Sequence, residues 1–396
     1  MRTNLSFTLD GFQGDGRFNV GIDMGHCKWS MDILDTESGT HRRHVFSEPT
    51  FLMDGLKKIR ELVETGREVD VIYEAGRNGF TPARGIALQG ARPVIVPVNK
   101  LEVLKTGKKA KSDRLDARAL SERDARAPRF PSVWVPSIDQ ECQRRILNEE
   151  LRLKKDIKRN NNRILSILER WPLPPESSHL SAAEWKRKLE HWRSNGAVGS
   201  LLPEVEFACI RNLISELEVL EKNLASWRDR RAAELARQRT EAAKKGQAHM
   251  VDVLMQYKSI GEETALGLAW YVGDFDRFSN GKKFSSYLGL TPVPWESGRM
   301  RRDQGISKSG RPELRRLMIE LAWLWVRHQP ESPITKKWRP QLDKRGRSRK
   351  TAIVAVARQL AVALFRLAKH GTEIEGATKN RELPVPAGTP GSPLAA

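Results

Sequence analysis

Hydrophobic positions in the first third of the chain form short runs that alternate with longer amphipathic segments. The runs FNVGIDM (18–24) and WSMDILD (29–35) predict two antiparallel strands joined by a tight turn. Further apolar runs at 68–76 and 92–99 predict buried strands, and apolar residues at helical spacing predict helices at 48–66 and 82–91. Strands alternating with helices indicate an α/β domain with a mixed sheet over residues 18–136.

The remaining two thirds of the chain carry a helical pattern. Residues 139–168 are highly charged, lack Gly and Pro, and are apolar at helical intervals, which predicts a long helix. Prolines in the following segment end that helix, and residues 207–239 restore a coiled-coil pattern, so the two long helices can fold back as an antiparallel hairpin. From about residue 250, short amphipathic stretches punctuated by glycines predict small helices, followed by longer ones near 310–329 and 351–368.

These patterns predict a fold of the α/β plus all-α class. We expect an α/β domain followed by a charge-rich helical arm, a compact helical domain, and a Pro-, Gly- and Ala-rich disordered tail. The predicted divisions are an N-terminal extension at 1–17, the α/β domain at 18–136, the arm with its Pro- and Trp-containing insertion at 137–248, the helical domain at 249–375, and the tail at 376–396.

Composition narrows the possible partners and compartment. The 396 residues include 69 Lys and Arg against 49 Asp and Glu, a formal charge of +20, which favours nucleic acid over acidic membrane as partner. Apolar segment 351–368 is interrupted by Arg358, Gln359 and Arg366, so it predicts a core helix and no membrane association. No secretion signal is recognisable, and three widely spaced cysteines fit a reducing bacterial cytoplasm rather than disulfides or a zinc site.

Four acidic residues are candidate metal ligands. Asp23 and Glu74 each stand at the end of a predicted strand, where carboxylates from different strands can converge. Asp113 and Asp116 lie three positions apart in a predicted helix at 111–122, with Ser112 as its N-cap, and therefore share one helix face. The alternatives are that the strand-end acids cap turns and that Arg114 and Arg118 pair with the two aspartates. The functional explanation is that the four acids bind Mg²⁺, because this ion prefers oxygen ligands and can bind phosphate oxygens at the same time.

A serine in a basic segment is the candidate nucleophile. Ser297 precedes Gly298 on a predicted turn, although most serines are only polar surface and Ser307 and Ser309 are equal candidates in isolation. Basic residues around the serine and the acidic pair are suited to phosphate contacts. The candidate nucleic-acid-binding residues are Lys111, Arg114, Arg118, Arg299, Arg301, Arg302, Lys308, Arg311, Arg315 and Arg316.

The sequence contains no HExxH, Walker or GxGxxG motif, so it does not indicate a zinc protease or a nucleotide-binding enzyme. Trp171, Trp185 and Trp192 can stack on bases, but packing between the helices of the arm is the favoured interpretation.

Four sequence blocks taken together resemble a known family. VGIDMGHCKWSMDILD, VIYEAG, KSDRLDARAL and a long block from GEETALGL to LRRLMIELAW occur in the order found in the DEDD transposases of the insertion-sequence 110 family, which are bridge-RNA-guided recombinases. The resemblance covers about residues 18–125 and 250–330. Two blocks depart from the family pattern, since EAGRNG stands where Glu-Ala-Thr-Gly is common and KSIGEET stands where a Pro-Gly turn is usual.

The resemblance implies a RuvC-type, RNase H-like domain, a coiled-coil arm, and a transposase domain of helix-hairpin-helix character that carries the serine. It implies that Asp23, Glu74, Asp113 and Asp116 form a tetrad that binds Mg²⁺, and that Ser297 attacks DNA to give a covalent phosphoserine intermediate. Donor and target DNA, a non-coding guide (bridge) RNA, and further copies of the chain, as a dimer or tetramer, are the implied partners.

Two alternatives remain open from the sequence. A metal-dependent, RuvC-like nuclease of branched nucleic acid would use the acids without serine chemistry. A non-catalytic scaffold, such as an RNA chaperone, would need neither the acids nor the serine.

Overall fold

In the computed structural model of the protein, the described residues are 5–6, 16–47, 50–97, 113–127, 130–171, 179–194, 202–297 and 300–380. The chain divides into two compact units, Met1–Ser137 and Ile138–Ala396. Mixed α/β structure in the first and mainly helical structure in the second are consistent with the predicted fold class and with an RNase H-like first domain.

The first unit is built on a mixed six-stranded sheet. Its strands are β1 (Leu5–Ser6), β2 (Phe18–Met24), β3 (Lys28–Asp35), β4 (Thr40–Ser47), β5 (Val69–Glu74) and β6 (Arg92–Val96), in the spatial order β1-β4-β3-β2-β5-β6. β2 and β3 pair antiparallel, which confirms the predicted hairpin, whereas β2, β5 and β6 run parallel. The sequence did not predict β4, because most of its residues are charged or polar and its outward side chains are exposed.

Helices cover both faces of this sheet. α1 (Phe51–Val63) and α2 (Thr81–Leu88), both predicted, share one core with alternate residues of β2, β3 and β5, including Val20, Ile22 and Tyr73. α3 (Asp113–Ser121) packs on the opposite face, where Leu120 meets Ile72. The predicted N-cap of α3, Ser112, lies outside the described residues.

The second unit begins with two long helices that form an antiparallel hairpin. α4 (Ile138–Leu168) and α6 (Glu204–Lys244) are joined through α5 (Ala182–Ser194), a helix that the sequence did not predict. Near the start of α4, the side chain of Gln143 donates a hydrogen bond to Glu234 of α6. Further along α4, Asn160 donates to Glu216, which lies earlier in α6, so the two helices run antiparallel. These contacts confirm the predicted hairpin.

The tryptophans of the insertion belong to the core of this hairpin. Trp185 is fully buried, and its indole N–H donates to Asn161 Oδ1 at 2.6 Å. Trp192 is buried in the same cluster, and the half-buried Trp171 packs against it. The favoured interpretation, packing rather than base stacking, is therefore confirmed.

The remaining helices form the largest core. They are α7 (Met250–Met255), α8 (Glu262–Val272), α9 (Gly281–Tyr287), α10 (Pro312–His328), α11 (Pro333–Leu342) and α12 (Arg347–His370). The predicted all-helical region also contains a two-stranded hairpin, β7 (Pro292–Ser297) and β8 (Met300–Ile306). α12 is long and apolar enough to cross a membrane by composition, but half of its apolar window is buried in the fold, as expected of the predicted core helix.

The prediction of a disordered tail at 376–396 is wrong for its first residues, 376–380. Thr378 accepts a hydrogen bond from the Lys258 backbone N–H at 3.0 Å, and the Asn380 backbone N–H donates to Gln256 at 2.7 Å. The side chain of Gln329 also bonds the backbone of Thr378. The chain therefore packs on the helical core as far as residue 380, and residues 381–396 lie outside the description.

Candidate active site

Two of the predicted acids lie at the carboxyl ends of neighbouring parallel strands. The register of β2 and β5 pairs Ile22 with Tyr73 as its last described pair, so Asp23 and Glu74 follow one residue later at the same edge of the sheet. Since side chains alternate along a strand, both acids stand on the face opposite to the buried Ile22 and Tyr73. Asp23 is half-buried and Glu74 is exposed, so both positions are accessible to a ligand.

A glycine brings the helix with the other two acids onto this face. A Cβ atom at Gly21 would lie 2.0 Å from the carbonyl oxygen of Ala117 and 2.5 Å from the backbone nitrogen of Ser121. Only a residue without a side chain permits so close an approach between β2 and α3. Gly21 lies two residues before Asp23, so α3 packs on the same face of the strand as that acid.

Contacts beyond the end of α3 fix its direction. The carbonyl oxygen of Arg123 accepts from the Asn19 side chain at 3.2 Å, and Arg17 pairs with Asp124 at 3.0 Å. Both contacts lie at the beginning of β2, so α3 runs antiparallel to the strand. Its first turn, which contains Asp113 and Asp116, therefore points toward the edge where Asp23 lies, near the carboxyl end of β2.

A buried ion pair reinforces this placement. Asp70, at the start of β5, accepts hydrogen bonds from Arg92 and from Arg126, which follows α3 in the chain. Burial alone would raise the pKa of Asp70, but the hydrogen bonds from the two guanidinium groups outweigh it and lower the pKa to about 2. The segment after α3 is thus held at the end of the sheet opposite to the candidate acids.

A buried polar network, which the sequence analysis missed, also holds the last turn of α3. The hydroxyl of Ser121 donates to Asp32 Oδ2, and His41 Nδ1 lies 2.7 Å from the same oxygen. All three side chains are almost completely buried. These residues are far apart in the sequence and match no motif, so only the pairing of β3 with β4 and the docking of α3 reveal them.

The candidate acids whose side chains are described stand near one edge of the sheet, where they leave an open site. Among the described side chains, no three Asp, Glu, His or Cys residues lie close enough to hold one ion. The side chain of Asp113 is outside the description, and that of Asp116 is half-buried. An accessible set of carboxylate oxygens is nevertheless the donor type that Mg²⁺ uses when substrate phosphates supply further ligands, so the residues fit that ion.

The bases near the acidic pair are only partly described. Arg118 donates to Glu122, just beyond the end of α3, at 2.8 Å. Arg114 lies in α3, but its side chain, like Lys111 as a whole, lies outside the description. Their predicted phosphate contacts remain predictions.

Ser297 is the last residue of β7 and pairs across the hairpin with Met300. The strands are therefore connected by residues 298 and 299, which include Arg299 and lie outside the described part. The backbones of Arg301 and Arg302 lie in β8, and the side chains from 294 to 304, Ser297 among them, are not described. The predicted turn serine thus stands on a strand end that borders the connection.

Close backbone contacts hold the base of this hairpin to the helical core. A Cβ atom at Gly289 would meet the carbonyl oxygen of Ser309 at 2.2 Å, and one at Gly310 would meet that of Tyr287 at 2.1 Å. The hydroxyl groups of Ser307 and Ser309 lie 3.0 Å apart at this base. Both serines are therefore placed at the foot of the hairpin, away from its connection.

Three of the predicted phosphate-binding arginines make contacts inside the fold. The Arg311 guanidinium lies 4.9 Å from the centre of the Tyr271 ring, Arg315 donates to the Ser309 carbonyl, and Arg316 pairs with Glu320. Lys308 is exposed, at a positive φ of 53°. Contacts to nucleic acid by these four residues stay predictions, and the intramolecular contacts would orient the arginines for them.

Residues 251–337 match the family model described as Transposase IS116/IS110/IS902 family, a span that includes Ser297 and runs from α7 into the first half of α11. Across 91% of this chain and 94% of the relative, the sequence is 32% identical to a Sinorhizobium fredii protein that carries the name transposase y4rJ. A second protein of that organism, y4qE, also named as a transposase, is 22% identical over 89% of each chain. The transposase for insertion sequence element IS1111A of Coxiella burnetii is 27% identical over 66% of this chain and 67% of its own.

Proposed function

The chain belongs to the IS116/IS110/IS902 family of transposases, and from that membership we propose that it recombines donor and target DNA by serine chemistry under RNA guidance. The observation that carries the proposal is the placement of Asp23, Glu74 and the first turn of α3 on one face, at one edge, of the same sheet. Such an edge can present several carboxylates to one phosphodiester.

The acids would act together with Mg²⁺. Asp23, Glu74, Asp113 and Asp116 are the residues that would hold it, and the bound ion would neutralise the charge that gathers on a phosphate under attack. The chain's own contribution is to fix the carboxylates before substrate arrives. Gly21 and the Ser121–Asp32–His41 network do this by holding α3 on the sheet.

Ser297 would supply the nucleophile. Its Oγ forms a bond to the phosphorus of the scissile phosphodiester while the bond from phosphorus to the leaving deoxyribose oxygen breaks, and the serine proton passes to a base as the leaving oxygen takes one up. The phosphoserine bond conserves the energy of the broken linkage, so a second deoxyribose hydroxyl can displace the serine and rejoin the strands. The proposal requires the serine and the acids to meet at one phosphodiester, from the same subunit or from different ones in a dimer or tetramer.

The formal charge of +20 supports the proposed partners. Lys and Arg side chains read phosphate backbones more readily than base order, so we assign sequence choice to base pairing with a bound guide RNA. Action on DNA would take place in the bacterial cytoplasm, at the nucleoid.

The first prediction tests the serine. Ser297→Ala should abolish both DNA cleavage and the covalent protein–DNA adduct, by about 10⁴-fold or more, because a missing nucleophile removes the whole reaction path. Labelled DNA carrying matching sites is incubated with the protein and its co-purified RNA, and adducts are counted on denaturing gels.

Ser307→Ala is the matched control, because it removes a hydroxyl from the same basic segment at the foot of the hairpin. It should retain the adduct. Continued cleavage by Ser297→Ala would instead favour a RuvC-like nuclease that works with the acids alone.

A further inference from the structure

The second unit contains a groove that the proposed chemistry does not use. Its volume is about 1130 Å³, and α11, α12 and the foot of the β7–β8 hairpin line it. Pro292 and Ile306, a register pair at the base of that hairpin, form part of its wall. The groove therefore adjoins the element that carries Ser297.

The rim of the groove is strongly basic. Six cations line it, and within the described part of the chain none of them forms an ion pair. Two acids also line it, of which Glu373 pairs with Lys379. Unpaired cations in such number are suited to a polyanionic ligand. The six are Lys308, Lys337, Arg347, Lys350, Arg358 and Arg366.

The floor of the groove is apolar and runs along α12. Val354, Ala355, Val362 and Ala363 are half-buried, and Trp338 of α11 adds an aromatic surface. Three cations of α12, Lys350, Arg358 and Arg366, also line the groove, with apolar side chains between them. At 1.5 Å of rise per residue, they span about 24 Å of the helix.

We infer that this groove binds single-stranded DNA. A duplex keeps its bases stacked in its interior, so it could meet the rim but not cover the apolar floor. A single strand can lay its bases against Trp338 and the aliphatic side chains while its phosphates meet the cations. This inference rests on the proposed function in one respect, because strand exchange next to Ser297 is the source of the unpaired strand.

The test measures affinity without any cleavage step. Fluorescence anisotropy with a labelled dT oligonucleotide is compared between the full-length protein and the double variant Lys350→Ala/Arg358→Ala. We expect the affinity to fall at least tenfold at low salt. The slope of log affinity against log salt should shrink by about 1.4, since each phosphate contact with a single strand contributes about 0.7.

The matched control is Lys344→Ala/Arg345→Ala, which removes two exposed cations from the loop before α12 that do not line the groove. It should leave affinity and slope unchanged. Thermal melting checks that each variant is folded, and the single substitution Arg358→Lys should retain most of the affinity because it keeps the charge.

Three outcomes would overturn the inference. The two double variants could weaken dT binding equally, which would indicate diffuse attraction. The groove variant could lose affinity for an RNA oligonucleotide of matching sequence, or for vesicles of anionic lipid, with dT binding intact. It could also lose self-association in sedimentation, which would assign the groove to a second copy. Because recombination plays no part in the assay, failure here leaves the test of Ser297 unaffected.

Discussion

At the residue scale, the connection between α7 and α8 contains a strained serine. Ser259 has a φ of +89°, in the region where an L-residue crowds its own backbone and glycine does not. Its hydroxyl oxygen is buried and has no hydrogen-bond partner in the described part of the chain. The strained backbone and the unsatisfied hydroxyl both cost folding free energy at this position.

Ser259→Gly should therefore stabilise the protein by about 1 kcal/mol, because relief of strain and of an unsatisfied hydroxyl outweighs the flexibility that glycine adds to the unfolded chain. Thermal or urea unfolding of the full-length protein measures the change. Ser259→Ala removes the hydroxyl but keeps the Cβ atom, so it should gain less. Equal gains from the two substitutions would show that backbone strain is not the cause.

At the element scale, the contact between β2 and α3 determines whether the acids can cooperate. The two elements meet at Gly21 with backbone atoms closer than any Cβ atom could tolerate. Anchors at Asn19, Asp32 and Asp70 then set the direction of α3. The helix is short, and much of its helical stability must come from this packing rather than from its own sequence.

Gly21→Ala should displace α3 and cost about 1–3 kcal/mol of unfolding free energy, as overpacking does in well-packed cores. DNA cleavage should fall with it, because Asp113 and Asp116 move with the helix. Gly76→Ala is the control for stability, since its Cβ atom would meet only the Glu74 carbonyl at 3.8 Å. An alanine at position 21 that leaves both the unfolding curve and cleavage unchanged would contradict the placement of α3.

At the scale of the whole molecule, a basic protein carries its candidate acids at one sheet edge. The charge of +20 is distributed along the chain and attracts phosphate without sequence preference. Carboxylates gathered at the edge repel one another and repel phosphate unless a cation joins them. Binding through the basic residues should therefore depend on salt concentration, whereas DNA binding at the acidic edge should depend on divalent ions.

Removal of Mg²⁺ with a chelator should weaken binding to matching DNA at the acidic edge and leave the salt-sensitive binding of RNA largely unchanged. The two affinities are measured in parallel, with and without Mg²⁺, at constant ionic strength. The double variant Asp23→Asn/Asp116→Asn should bind DNA with little dependence on Mg²⁺. Equal loss of DNA and RNA binding on chelation would contradict this division.

The sequence predicted those elements whose apolar residues repeat with a regular period. The hairpin of β2 and β3, helix α1, and the long helices α4 and α6 all followed from this pattern. Strand β4 was missed because its residues are mainly polar, and the ordered residues up to 380 were missed because their hydrogen bonds join segments distant in the chain. The candidate acids were predicted singly, from their positions at the ends of strands and on a helix face.

The sequence by itself determined the elements, the basic charge and the identity of the candidate acids and serine, because these depend on local periodicity and composition. Only the tertiary structure decided that Asp23, Glu74 and the first turn of α3 share one face and edge of the sheet. That arrangement depends on strand register, on the absence of a side chain at Gly21, and on buried hydrogen bonds between residues up to 89 positions apart. Contacts of this kind leave no periodic signal in the sequence, because their partners become neighbours only when the chain folds.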